Sequence, residues 1–211
     1  MSVTPFLSFE RACRLIVFWN TIYLKAIKLI CGVDYKIIGE ENIPAKNVLI
    51  LSNHQSDFET IFLQMKFQPQ ATVLKKELLK IPFFGWSLKL LNPIAIDRSQ
   101  KSAALKQLLT EGSKRLNDGF WVVIYPEGTR RKPEERAGFS GGGAMLAVKS
   151  GVPVLPVAHN AGRYCPGKKL IKRPGTITFV FGELIETTGR RAQDVNKDVE
   201  KWIHSKMDAI A

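Results

Sequence analysis

Trp121-Val122-Val123-Ile124-Tyr125-Pro126-Glu127-Gly128-Thr129-Arg130 joins a nearly continuous apolar run of strand length to a turn of polar groups. A strand that is apolar at successive positions, rather than at alternate ones, is covered on both faces, as a central strand of a largely parallel sheet is. Outward from it, Tyr35–Ile38, Val48–Leu51, Ala71–Leu74, Ile94–Ile96, Val152–Ala158 and Thr176–Phe181 read as further strands, with a turn region over Gly39–Asn47. Helical spacing falls between them: Asp57–Phe67, Lys76–Leu91 with a break near Pro82 and Gly85, Ser99–Asn117 through Leu105, Leu108, Leu109 and Leu116, Ala144–Lys149, and Gln193–Ile210. This alternation predicts an α/β domain with a mixed, largely parallel sheet flanked by helices, whose ligands gather at strand ends.

The chain has 211 residues, 45% of them hydrophobic, enough for one domain with a substantial core. Cys13, Cys31 and Cys165 are scattered and odd in number, which suggests neither a disulfide framework nor a zinc site. With no cleavable signal pattern, a reducing, cytoplasmic setting is expected. A net charge of +12 demands an anionic partner: nucleic acid, a bilayer surface or an acidic substrate.

The N-terminal stretch narrows that choice. From Arg11 to Cys31 apolar residues dominate, but Arg14, Asn20, Thr21, Lys25 and Lys28 interrupt them, and no run approaches the ~18 residues of a membrane span. On a helical wheel Arg11, Arg14, Thr21, Lys25 and Lys28 share one sector, while Leu15, Phe18, Trp19, Ile22, Leu29 and Ile30 cover much of the rest. A helix of this kind lies in a bilayer interface or packs on the domain's own core. The expected division is a membrane-associating amphipathic helix over 1–32 and a catalytic domain over 33–211.

Three strand ends carry polar groups: His54 with Glu59, Asp97-Arg98, and Tyr125 to Arg130. Histidine takes up and releases protons near neutrality, and a carboxylate five residues on can fix its tautomer, so His54 is a candidate general base. Asp57 is an alternative partner for it. Ser56-Asp57-Phe58-Glu59 equally fits a helix capping box, a reading that does not wholly exclude the pairing, since the chain can fold back so that one Glu59 oxygen reaches the imidazole. Arginine forks suit phosphate, and two of them near a base point to a phosphorylated substrate whose reacting group must lose a proton.

Other chemistries fare worse. His159 and His204 lack ligand spacing with His54, so no metal is expected. Gly162-x-x-x-x-Gly167-Lys168 has the spacing of a nucleotide-binding loop, but Lys169 replaces the required Ser or Thr and no helix start follows. No nucleic-acid fingerprint is present, and Phe58, Trp86 and Trp121 sit in apolar contexts. A basic nucleic-acid- or membrane-binding module without catalysis is the rival of a different class.

Taken in order, His54-x-x-x-x-Glu59, Ile94-Ala95-Ile96-Asp97-Arg98, Tyr125-Pro126-Glu127-Gly128-Thr129-Arg130 and Val152-Pro153-Val154-Leu155-Pro156-Val157 resemble the four motifs of the glycerolipid acyltransferases. Within that family they are most similar to bacterial members acting on 1-acyl-sn-glycerol-3-phosphate. The resemblance spans roughly Tyr35 to Glu183 and includes Leu74-Lys75-Lys76-Glu77-Leu78 and Ile81 to Trp86. The chain departs from the family pattern in having Glu59 for the usual Asp and Asn92-Pro93 where Gly is normal.

The resemblance implies a glycerol-3-phosphate acyltransferase-like fold and direct transfer without an acyl-enzyme. His54, oriented by Glu59, would deprotonate the 2-hydroxyl of lysophosphatidic acid for attack on the thioester of an acyl carrier protein or acyl-coenzyme A. Arg98 and Arg130, with Lys75 or Lys76, would hold phosphate, and Glu127 and Gly128 would position substrate. The fourth motif, around Val154 and Pro156, is expected to be mostly core. No cofactor is implied beyond the acyl co-substrate, and no nucleic acid. The implied setting is the cytoplasmic face of a bacterial inner membrane, peripheral or monotopic. The cluster Arg163, Lys168, Lys169, Lys172 and Arg173 would dock a carrier protein or the anionic membrane surface. Another lysolipid, such as a lyso-ornithine lipid or a lysophospholipid with a larger head group, is the alternative acceptor.

Overall fold

The computed structural model describes residues 8–167 and 169–211, so the start of the 1–32 segment and Lys168 of the basic cluster lie outside the described residues. Seven strands form one sheet: β1 (Val33–Ile38), β2 (Leu49–Ser52), β3 (Gln70–Lys75), β4 (Ile94–Ile96), β5 (Trp121–Ile124), β6 (Val154–His159) and β7 (Gly175–Phe181). Their spatial order is β1-β7-β6-β2-β5-β3-β4. Every pairing is parallel except β6 with β7. The sheet is therefore mixed and largely parallel, and every residue of the inner strands β2, β5 and β6 is buried.

The period-2 alternation of a strand sends those residues to two different cores. Leu49, Leu51, Val122, Ile124, Val154 and Ala158 face a cluster with Leu108 and Leu116 of α4 (Lys101–Asn117), Leu146 of α5 (Gly142–Ser150), and Val195, Val199 and Ile203 of α7 (Ala192–Ala209). Ile50, Val123, Tyr125, Leu155 and Val157 face the other, with Phe58, Phe62 and Leu63 of α2 (Phe58–Lys66) and Leu24 of α1 (Phe9–Cys31). Helices thus cover both faces of the sheet.

α1 starts where Ser8 Oγ accepts the Arg11 N–H, and stops at Gly32, whose left-handed backbone (φ 66) lets its N–H close on Lys28 O. Packing on the domain's own core, one of the outcomes open in the sequence, accounts for part of the α1 surface. Ala12 and Leu24 are buried, with Tyr23, Ile27 and Cys31 packed on the core around α2. Leu15, Phe18, Trp19, Ile22, Leu29 and Ile30 stay exposed. No described helix is long and apolar enough to cross a membrane.

The break expected within Lys76–Leu91 separates a 3-10 turn, Lys76–Lys80, from α3 (Phe84–Lys89). Two further elements were not anticipated, a 3-10 turn at Glu40–Asn42 and α6 (Ala161–Tyr164). Both are too short to show a periodic apolar pattern.

Candidate active site

β2 ends at Ser52, and the loop Asn53 to Asp57 carries the chain onto α2, with Glu59 in the helix's first turn. Glu59 is fully buried. Its Oε1 accepts the backbone N–H of Gln55 at 2.9 Å and of Ser56 at 2.8 Å, and lies 2.8 Å from His54 Nδ1. Ser56 Oγ in turn accepts the Phe58 N–H. The Glu59 half of the expected capping box and the histidine pairing are thus performed by one carboxylate oxygen, while the Ser56 half goes to Phe58 in place of Glu59.

Burial opposes ionisation of Glu59, but the His54 contact and the Ser56 N–H outweigh it and hold its pKa below the ordinary value. An ionised carboxylate only accepts, so it assigns the proton to His54 Nδ1 and leaves Nε2 with a free lone pair. Asp57 is not the partner of His54. Its carboxylate pairs with Arg130, whose Nε also donates to Ser56 O at 3.2 Å.

Two neighbouring strand ends hold the histidine in place. Its ring stacks on Tyr125, centroids 4.3 Å apart at 21°. The buried Tyr125 hydroxyl has no hydrogen-bond partner, and burial followed by the Glu59 charge pushes its pKa well above the usual value, so the ring stays neutral. The His54 N–H donates to Glu127 Oε2 at 3.2 Å, and His54 O accepts the Arg131 N–H at 2.8 Å. From β6, His159 exchanges backbone and side-chain bonds with Asn53: Asn53 Nδ2 donates to His159 O at 2.9 Å, and the His159 N–H donates to Asn53 Oδ1 at 3.0 Å. His159 Nδ1 accepts the Ala161 N–H while Nε2 donates to Asn53 O, and burial lowers its pKa, keeping it neutral.

The sequence discounted His159 only as a metal ligand and gave Tyr125 no role of its own. Neither has a local signal, because one ends an apolar strand and the other's partner is 106 positions away.

His54 lines a cleft of ≈ 1840 Å³ whose walls include both cationic and apolar side chains. Lys75, Arg98, Arg130, Arg163, Lys169 and Arg173 contribute the charge, and Trp19, Tyr23, Ile61, Leu74, Leu78 and Leu88 the apolar surface. Arg98 follows β4 and donates through Nη1 to Gly128 O, with burial drawing its pKa down. Gly128 is at φ 72, a backbone conformation that favours glycine, and a Cβ there would press on that guanidinium nitrogen at 3.3 Å.

Two expected site residues are placed differently, and the fourth motif forms core as expected. Lys76 is off the cleft wall, with its charge acting on Asp97. Glu127 is also off the wall, behind His54, where burial raises its pKa to about 7 and Oε1 has no partner. Val154 and Leu155 of the fourth motif are fully buried core. Among the described residues no three His, Cys, Asp or Glu side chains gather as metal ligands.

The family model described as Acyltransferase matches residues 34–160, which carry the C-terminal end of every strand except β7. The chain belongs to the acyltransferase family. It is 46% identical to a 1-acyl-sn-glycerol-3-phosphate acyltransferase of Pseudomonas aeruginosa, over 99% of this chain and 83% of that protein. It is 30% identical to human 1-acyl-sn-glycerol-3-phosphate acyltransferase beta over 82% of this chain and 63% of the relative. The crystal structure of the 1-acyl-sn-glycerophosphate (LPA) acyltransferase PlsC from Thermotoga maritima matches 95% of this chain and 80% of its own with a TM-score of 0.76 at 26% identity. This acyltransferase therefore has the PlsC fold. Its matched segment contains the paired His54 and Glu59, whereas α1 and α7 lie outside it.

Proposed function

We propose that this acyltransferase moves a fatty acyl group from an acyl thioester, of acyl carrier protein or coenzyme A, to the 2-hydroxyl of 1-acyl-sn-glycerol-3-phosphate, making phosphatidic acid. One observation carries the reading: a histidine paired through Nδ1 with a buried carboxylate lines a cleft that also holds cationic and apolar side chains, the chemistry of a lipid with a phosphate head. The names of the relatives agree with it.

In this mechanism His54 Nε2 takes the hydroxyl proton as the oxygen attacks the thioester carbonyl, and Glu59 stabilises the imidazolium. The new C–O bond forms, the C–S bond breaks, and the departing thiolate takes the proton from Nε2. No acyl-enzyme and no cofactor enter. Arg98, Arg130 and Lys75 hold the phosphate, and Glu127 serves the acceptor indirectly by fixing the His54 backbone. Residues 1–32 form the membrane-associating element and 33–211 the catalytic domain. The exposed apolar face of α1, with its lysines and arginines, rests peripherally or monotopically on the cytoplasmic face of the bacterial inner membrane.

Free-thiol release from acyl-coenzyme A across a panel of lysolipids, with the product identified, tests the reading. Lysophosphatidic acid should be the preferred acceptor, and His54→Ala should abolish release while leaving the thermal unfolding transition in place. Turnover by His54→Ala at the unsubstituted rate would remove the catalytic role. Preference for a lyso-ornithine lipid or a lysophosphatidylglycerol would reassign the acceptor.

A further inference from the structure

The segment between α6 and β7 has two aliphatic side chains at its tip that no described residue covers. Leu170 is 98% exposed and Ile171 81%. Their flanks, Lys169, Lys172 and Arg173, are cationic, and no Asp or Glu occurs anywhere from Arg136 to Gly182.

The base of the projection is tied down at both ends. The Gly167 N–H donates to Gln55 O, next to His54, at 3.3 Å, and the Arg173 N–H to Tyr164 O at 2.8 Å. Pro174 lies against Gly32, and the Gly175 N–H donates to Gly32 O at 3.0 Å. The loop is thereby joined to the C-terminal end of α1, where Leu29 and Ile30 are also exposed. Lys169 and Arg173 line the cleft that His54 faces.

We propose that the loop tip, Leu170 and Ile171 within Lys169 to Arg173, inserts into an anionic lipid surface as a bilayer contact in addition to α1, at the mouth of the cleft. An acidic protein would be met by the cations alone. Two neighbouring aliphatic side chains between cations match the two layers of a bilayer interface, acyl boundary below and phosphate above. Continuity with the end of α1 extends the apolar surface assigned to that helix toward the cleft. The occupant rests in part on the membrane role proposed for α1, but not on the acyl-transfer chemistry.

The test is co-sedimentation of the full chain with phosphatidylcholine vesicles carrying phosphatidylglycerol, without substrate, so failure of the acyl-transfer reading does not alter its outcome. Leu170→Ser with Ile171→Ser, which leaves α1 and every charge intact, should lower the partition coefficient about tenfold. Thiol release with a short-chain, freely dissolved acceptor should stay within twofold. Partition within twofold of the unsubstituted chain would overturn the proposal, as would loss of binding to an acidic carrier protein with vesicle partition intact.

A second measurement is independent of any folding defect in that variant. A polarity-sensitive dye on Leu170→Cys, with Cys13→Ser and Cys31→Ser, should shift to the blue on addition of these vesicles. An unchanged spectrum with the protein vesicle-bound also overturns it.

Discussion

Glu59 Oε1 is fixed by two backbone N–H donors before it meets His54, and this sets what a substitution there can do. In Glu59→Gln those donors still select an oxygen at that site, so His54 Nδ1 keeps its proton and only the stabilising charge is lost. The expected fall in kcat is about 10²-fold, smaller than the ~10⁴-fold seen when a substituted partner imposes the wrong tautomer. Glu59→Ala, which also removes the cap, should be the more damaging change in both steady-state kinetics and thermal melts. Glu127 has the opposite electrostatics. Its folded pKa of about 7 is above the unfolded value of 4.5, so the stability linked to its protonation is full below pH 4.5 and lost as pH rises through 7. That difference amounts to about 3 kcal/mol, and Glu127→Gln should flatten the stability profile between pH 5 and 8 in urea titrations. His54 and Glu59 could be paired from the sequence because they share one turn of chain. The Tyr125 stack, the Asp57–Arg130 ion pair and the Asn53–His159 bonds could not, since sheet order alone brings those partners together.

Among the secondary-structure elements, the edge strand β1 is held in register with β7 by a turn that tolerates no side chain. Gly39 is at φ 76, and a Cβ there would sit 2.1 Å from Phe181 O, a backbone atom that cannot swing away. Gly39→Ala should therefore cost about 2–4 kcal/mol in denaturant unfolding. Gly119→Ala, at φ 84 with nothing within 4 Å of the new methyl, should cost only the ~1 kcal/mol of the backbone conformation. Buried strands and long helices were readable because each repeats its own period over many residues. The seat of α1 was not. Its apolar residues cover most of the wheel, and only the elements packed against the helix decide that Ala12 and Leu24 face inward while Leu15, Phe18 and Trp19 face out.

For the whole molecule, a net charge of +12 acts at longer range than any contact. Partition of the chain onto vesicles containing anionic lipid should weaken steadily as sodium chloride is raised from about 50 to about 300 mM, while partition onto purely zwitterionic vesicles should be weak and nearly salt-independent. Equal binding to both vesicle types would reject an electrostatic contribution to membrane association. By itself the sequence determined the α/β rhythm, the largely parallel sheet, the histidine with its carboxylate and the arginines at strand ends, because each is a local pattern or an ordered set of motifs. Tertiary structure alone decided that Asp57 belongs to Arg130, that Glu127 stands behind the histidine, and that Lys76 is outside the cleft. Those outcomes depend on the spatial order of strands far apart in the chain, and a one-dimensional pattern carries no distance between them.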